Sequence, residues 1–196
     1  MTSPESRSRM AQYADLLVGE EIVDVVDAVD PRMIKQRNDL LALKRSRVIT
    51  YYGMSNALKE LVKDLGSMGP RTLRALRVWG HGIPGVAGLA IGLDPRMSRL
   101  HLSGFSLGSM SNAMNPLWTL QPVFSPGGRI EFRTCQTGGG ADGEALAKLI
   151  ATKLNVHVYM STVDTYIETL DWTGPVLHCD PQGNCRPINP GQAPRH

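Results

Sequence analysis

The segment of residues 127–140 constrains the fold more than any other part of the sequence. In its first half, Ile130 and Phe132 alternate with polar neighbours, which is typical of a β-strand with one buried face. The pattern runs to Cys135, and the glycines that follow predict a turn before the next helix. Ligand sites in α/β folds lie at the carboxyl ends of the strands. The pattern therefore makes Cys135 a candidate functional residue.

A second predicted strand ends in a histidine, 54 positions before that cysteine (135 − 81). Leu76, Val78 and Trp79 lead into His81, which stands between two glycines. A histidine and a cysteine at two strand ends are a candidate general base and nucleophile. The glycine-rich run after Cys135 offers backbone N–H groups with little steric cover, as an oxyanion hole requires.

Strand and helix patterns alternate along the chain, which predicts an α/β fold with a mostly parallel sheet of five or six strands and helices on both faces. The predicted strands are residues 20–30, 47–52, 76–80, 128–135 and 156–160, with a hairpin of 86–93 and 99–102. The predicted helices are 31–44, 55–65, 112–120 and 142–154. Residues 1–19 are interpreted as an N-terminal extension, 20–170 as the domain and 171–196 as a tail, irregular from residue 180.

The composition is that of an ordinary soluble domain, with 42% hydrophobic and 20% charged residues. A formal charge of +3 is too small to indicate nucleic-acid binding, and the basic run 44–47 is interpreted as a solvated helix end. No apolar run reaches the length of a membrane span. The N-terminus lacks the apolar core of a signal peptide, so we expect synthesis in the cytosol, with secretion by a signal-independent route left open.

The other two cysteines, Cys179 and Cys185, flank a turn-forming sequence near the C-terminus. They are compatible with a disulfide that closes a small hairpin and equally with a reduced pair. Together with His178 they offer too few ligands for a structural zinc site. We therefore expect no metal and no organic cofactor.

The two strand-end motifs resemble those of the caspase-like (clan CD) cysteine peptidases, nearest to CHAT-type and small bacterial caspase-like domains. The resemblance rests on His81-Gly82 and on residues 134–138, Thr-Cys-Gln-Thr-Gly, although the caspase signature has one residue fewer before its glycine. It implies a three-layer sandwich and an endopeptidase in which Cys135 attacks the peptide carbonyl and His81 protonates the leaving amine. Backbone N–H groups of Gly82 and Cys135 would hold the oxyanion.

The resemblance further implies a protein or peptide substrate and a bacterial effector or toxin-type role, and it leaves open whether an activator or a cognate inhibitor exists. Gln136, Asp142 and Asp164 are the candidate substrate contacts, with a preference for a basic residue before the scissile bond (P1). Arg133 or Arg77 would instead recognise an acidic residue.

Two other interpretations remain open. Ser106 lies in a Gly-x-Ser-x-Gly sequence, which is typical of the nucleophile of an α/β-hydrolase esterase or lipase. Against it, only 25 positions separate His81 from Ser106 (106 − 81), too few for that fold. A serine triad would be completed by Asp164 or Asp171 and by His178. The third interpretation is a non-catalytic caspase-like interaction module, although such modules usually lose one member of the dyad.

Overall fold

The computed structural model describes residues 21–90, 104–165 and 169–195. The strands are β1 (Glu21–Asp27), β2 (Arg47–Tyr51), β3 (Leu73–Gly80), β4 (Gly82–Ile83), β5 (Val86–Gly88), β6 (Gly104–Ser106), β7 (Phe124–Thr134), β8 (His157–Ser161), β9 (Val176–Cys179) and β10 (Cys185–Ile188). The helices are α1 (Pro31–Leu43), α2 (Ala57–Gly66), α3 (Leu107–Met110) and α4 (Gly140–Leu154), with 3-10 helices at Pro116–Val123 and Pro190–Gln192. The predicted N-terminal extension lies outside the described residues.

Seven strands form the main sheet, in the order β10-β9-β8-β7-β3-β1-β2. The pairs from β2 to β8 are parallel, whereas β9 and β10 join in antiparallel pairs. The predicted α/β class and mostly parallel sheet are confirmed, but the predicted number of five or six strands is too low. The additional strands, β9 and β10, lie in the segment 171–196 predicted as a tail, for which the sequence indicated only a possible hairpin at Cys179 and Cys185. Each is four residues long, too short to show a clear hydrophobic period.

Helices pack on both faces of this sheet because apolar side chains of the central strands alternate between the faces. In β3, Leu76 and Val78 belong to the main core, which α2, α4 and the 3-10 helix at Pro116–Val123 cover. Trp79 points to the opposite face, where it packs with Met33 and Leu40 of α1. The sheet is therefore the middle layer between two helical layers.

The opposite face also carries a row of buried charges across neighbouring strands. Asp24 of β1, Arg77 of β3 and Glu131 of β7 stand in register. Glu131 is fully buried, and its carboxylate accepts hydrogen bonds from Arg129 Nε at 2.7 Å and Arg133 Nε at 3.0 Å. A buried carboxylate at this position is tolerated because several guanidinium groups surround it.

The segment between α3 and β7 differs from the prediction of one helix over residues 112–120. Its proline at position 116 begins the 3-10 helix Pro116–Val123, and a second proline at 122 lies inside it. Proline lacks the N–H that an α-helix interior needs, which favours the short, tight form. The first strand of the predicted hairpin contains β5, whereas its second strand, 99–102, lies outside the described residues; β5 pairs instead with β6.

A disulfide joins Cys179 to Cys185 across the β9–β10 hairpin. Of the two possibilities that the sequence left open, the structure has the bonded form, and Cys135 is the one free cysteine. None of the helices in the described ranges has the length and apolar character that a membrane crossing requires.

Candidate active site

His81 and Cys135 are brought together by the pairing of β3 with β7. The two strands are parallel, and Gly80 lies opposite Thr134. His81 directly follows Gly80, and Cys135 directly follows Thr134. Both side chains therefore lie at the same edge of the sheet, where the two strands end. Both line one cavity of about 250 Å³. The other lining residues are Arg32, Met33, Gln36, Trp79, Gly80, Arg133, Thr165, Thr169, Asp171 and Trp172.

His81 is held from behind by Asp30, a residue that sequence reasoning did not select. The distance from His81 Nε2 to Asp30 Oδ2 is 2.8 Å, and Asp30 is only 4% exposed. Asp30 also caps α1 by accepting a hydrogen bond from the backbone N–H of Arg32 at 2.9 Å. The signal that could have found it is the Asp-Pro pair after the first strand, which is typical of a capped helix start beside a strand end.

The Asp30 carboxylate is strongly stabilised in its charged form. Arg32 donates from Nε to Oδ2 at 2.9 Å and forms an ion pair through a terminal nitrogen at 2.7 Å. These bonds, more than the contact with His81, lower the pKa of Asp30 from its ordinary value of 3.8 to about 2, although burial opposes the shift. Asp30 is therefore an anion at neutral pH, able to orient the imidazole of His81.

Cys135 is half-buried, and its sulfur contacts one residue of the loop after β8. The backbone N–H of Thr165 donates to Cys135 Sγ at 3.4 Å, and the Thr165 hydroxyl lies 3.5 Å from it. The Thr165 carbonyl oxygen is 3.7 Å from the same sulfur. The loop after β8 therefore holds the sulfur in place at the wall of the cavity.

The glycine-rich run after Cys135 was expected to offer free backbone N–H groups for an oxyanion, but three of these groups are already bonded. The N–H groups of Gln136, Gly138 and Gly139 donate within the protein, to carbonyl oxygens 2.8 to 2.9 Å away. They are therefore not free to bind an oxyanion, and the expectation was wrong for these three groups. Gly138 serves packing instead, because a Cβ at this position would lie 2.8 Å from the Cβ of Met160.

Gly82 lies tightly against the loop that carries the cysteine. A Cβ at this position would overlap the Thr137 hydroxyl and the Cys135 carbonyl oxygen. Only glycine fits there without displacement of the loop, so the residue after His81 fixes how closely the two strand ends approach.

The three predicted substrate contacts do not line the cavity. Gln136 has a left-handed backbone (φ 51°), and its side-chain nitrogen donates to Asp164 at 2.9 Å on the surface. Asp142 lies in the first turn of α4 and lines a separate pocket with Ser106. The carboxylate that the cavity does contain belongs to Asp171.

Arg133 lies beside the cavity but is already engaged. Its guanidinium is 3.8 Å from the ring centroid of Trp172, and it is bonded to Glu131 and to the carbonyl oxygen of Leu170. Asp171, by contrast, is exposed and forms no ion pair with any described residue. Among the charged side chains that line the cavity, Asp171 is therefore the best placed to bind a ligand.

The residues of the predicted serine triad have other roles. Ser106 is 1% exposed and caps α3, with its hydroxyl accepting from Ser109 N–H at 3.2 Å. His178, on β9, lies 3.0 Å from His157 and stacks on Tyr159. The structure thus places Ser106 and His178 in separate local networks.

Compared with protein-family models, curated proteins and solved structures, the chain matches none of them. Within the described ranges, no group of three or more His, Cys, Asp or Glu side chains is placed to hold a metal ion.

The substitution Asp30→Asn tests the charge of Asp30 while keeping a good helix cap. We expect it to lower the free energy of unfolding by about 1–2 kcal/mol near pH 7, since a carboxylate with a lowered pKa stabilises the fold where it is ionised. The difference from wild type should shrink as the pH falls from 3.8 to about 2. Urea denaturation at several pH values measures it.

The matched control is Asp39→Asn, which removes an exposed ion pair with Lys35 on the same helix. Its effect should be close to zero throughout. A loss for Asp30→Asn that does not vary between pH 7 and pH 2 would contradict the assigned charge.

Proposed function

We propose that the chain is a cysteine endopeptidase with a caspase-like, three-layer architecture, in which Cys135 is the nucleophile and His81 the general acid. The observation that carries the proposal is the convergence of both side chains on one cavity, at adjacent ends of two parallel strands. A buried carboxylate behind the histidine adds the third, orienting group that activated nucleophiles commonly have.

The reaction uses each group at a stated atom. Cys135 Sγ, as thiolate, attacks the peptide carbonyl carbon, and the negative charge moves to the carbonyl oxygen near the N–H groups of Gly82 and Cys135. The C–N bond then breaks, and the leaving amine takes a proton from His81. Because Nε2 of His81 contacts Asp30, Nδ1 is the nitrogen that donates. Water finally hydrolyses the thioester and frees the thiol.

The cavity favours a substrate with a basic P1 residue. Trp79 and Trp172 supply apolar ring surface, and Asp171 supplies a carboxylate that forms no ion pair with the described residues. A lysine or arginine side chain has the matching form, an apolar stem that ends in a cation. Arg133 is not free to bind an acidic residue, because its guanidinium is engaged by Glu131, by carbonyl oxygens of Leu170 and Pro194, and by the ring of Trp172.

The serine esterase interpretation has less support, because the Ser106 hydroxyl is buried and caps a helix. The interaction-module interpretation lacks a specific observation in its favour, since His81 and Cys135 are both present and share a cavity.

Substitutions of the dyad test the proposed chemistry. Cys135→Ala and His81→Ala should each lower turnover of a mixed peptide library by at least a thousandfold, because the first removes the nucleophile and the second the proton donor. Ser106→Ala should keep turnover within a factor of a few. Mass spectrometry of the products measures the rates, and thermal unfolding checks that each variant is folded. Activity that survives Cys135→Ala and is lost with Ser106→Ala would favour the serine esterase interpretation, with Ser106 as the nucleophile.

A second test addresses the P1 residue. Asp171→Asn should lower kcat/KM for peptides with lysine or arginine at P1 about tenfold or more, while peptides with an uncharged P1 of similar length change little. The matched control is Asp164→Asn, which removes an exposed carboxylate that does not line the cavity. Equal losses of kcat/KM for peptides with a basic and with an uncharged P1 residue would show that Asp171 does not recognise the charge of P1.

A further inference from the structure

A second concave site lies at the opposite end of the sheet from the candidate active site. It has a volume of about 500 Å³ and is formed where β1, β2 and β3 begin. The cavity with His81 follows the other end of β3, which has eight residues. At about 3.3 Å per residue, the two sites are roughly 25 Å apart along the strand.

Four cations line this concave site, which we call the basic concavity: Lys44, Arg45, Arg47 and Arg74. All four are exposed, and none forms an ion pair with a described residue. Glu21 is the one carboxylate of the lining, so the site carries an excess of three positive charges. That excess equals the formal net charge of the whole chain, +3, and the remaining charges therefore sum to zero.

Six described cations outside the basic concavity are paired with described carboxylates, whereas the four that line it are not. The described cations that lie within 4.0 Å of a carboxylate are Arg32, Lys35, Lys63, Arg77, Arg129 and Arg133. The basic concavity thus concentrates positive charge without internal neutralisation. Such a concentration raises the local density of anions and speeds their association.

The loop that presents three of these cations is fixed at two points. Lys44 has a left-handed backbone (φ 53°) and ends α1. Ser46 donates its hydroxyl hydrogen bond to Asp24, which is fully buried and also accepts from Trp79 Nε1 at 2.6 Å. The cations therefore extend from a backbone that is held in place before any ligand arrives, which lowers the entropic cost of binding.

We propose that the basic concavity binds a small soluble ligand with two or more phosphate groups. Arginine presents a planar fork that matches phosphate oxygens, and lysine adds a compact charge. The volume of about 500 Å³ is in the range of sites that bind small molecules. The carboxylate of Glu21 would repel a partner whose surface is uniformly anionic. It can instead accept a hydrogen bond from a hydroxyl or amino group of the ligand.

Calorimetric titration with tripolyphosphate, with pyrophosphate as a shorter probe, tests the site. Wild type should bind tripolyphosphate with a one-to-one stoichiometry that weakens as salt is added. The double variant Arg45→Gln/Arg74→Gln should bind at least tenfold more weakly. The control Lys59→Gln/Lys153→Gln removes the same charge from exposed positions on α2 and α4, and should bind like wild type.

Equal weakening in both double variants would overturn the site, since it would reflect net charge alone. Absence of saturable tripolyphosphate binding to wild type would overturn it as well. Binding only to vesicles that contain phosphatidylserine, or only to single-stranded DNA, would assign the surface to a membrane or to nucleic acid instead. Thermal unfolding of both variants shows whether they remain folded, and peptidase activity does not enter the readout.

Discussion

The buried carboxylate of Glu131 is the interaction on which the opposite face of the sheet depends. It is fully buried on a central strand and lies within hydrogen-bond or ion-pair distance of Arg77, Arg129 and Arg133. Burial of one such charge without partners would cost several kcal/mol, so the three guanidinium groups and the carboxylate require one another. The arrangement fixes Arg133, which in turn donates to carbonyl oxygens of Leu170 and Pro194 and so fastens the C-terminal segment beside the cavity.

The same row of charges links the two ends of the molecule. Arg77 lies between Glu131 and Asp24. Asp24 in turn accepts a hydrogen bond from the hydroxyl of Ser46, which lies in the loop of the basic concavity. At the other end, Arg133 packs against Trp172 in the wall of the cavity. This face of the sheet therefore holds polar groups in fixed positions, where an ordinary α/β domain would have apolar residues. Both proposed sites lie at the margins of this face. Fixed polar groups of this kind are what recognition of a charged ligand requires.

The sequence was sufficient to predict the central part of the fold because β1, β3 and β7 have strong hydrophobic patterns. Their parallel order places His81 and Cys135 at one edge, and the glycines beside them mark the positions. The sequence allowed a hairpin closed by Cys179 and Cys185, but not that its strands β9 and β10 join the main sheet, since a four-residue strand has no measurable period. Asp30 was missed because its contact with His81 spans 51 positions. The directions in which Asp142, at the start of α4, and Asp164, in the loop after β8, face are not encoded by any local pattern.

The most direct test of the central claim, that Cys135 is an activated nucleophile beside His81, is its rate of alkylation by iodoacetamide near pH 7, followed by intact mass. The disulfide between Cys179 and Cys185 leaves Cys135 as the single free thiol, so each added label reports one site. We expect rapid, single labelling of wild type that slows clearly in His81→Ala, because the proposed dyad needs the histidine to activate the thiol. A Cys135 that stays unlabelled, or that reacts at the same rate in both proteins, would contradict it.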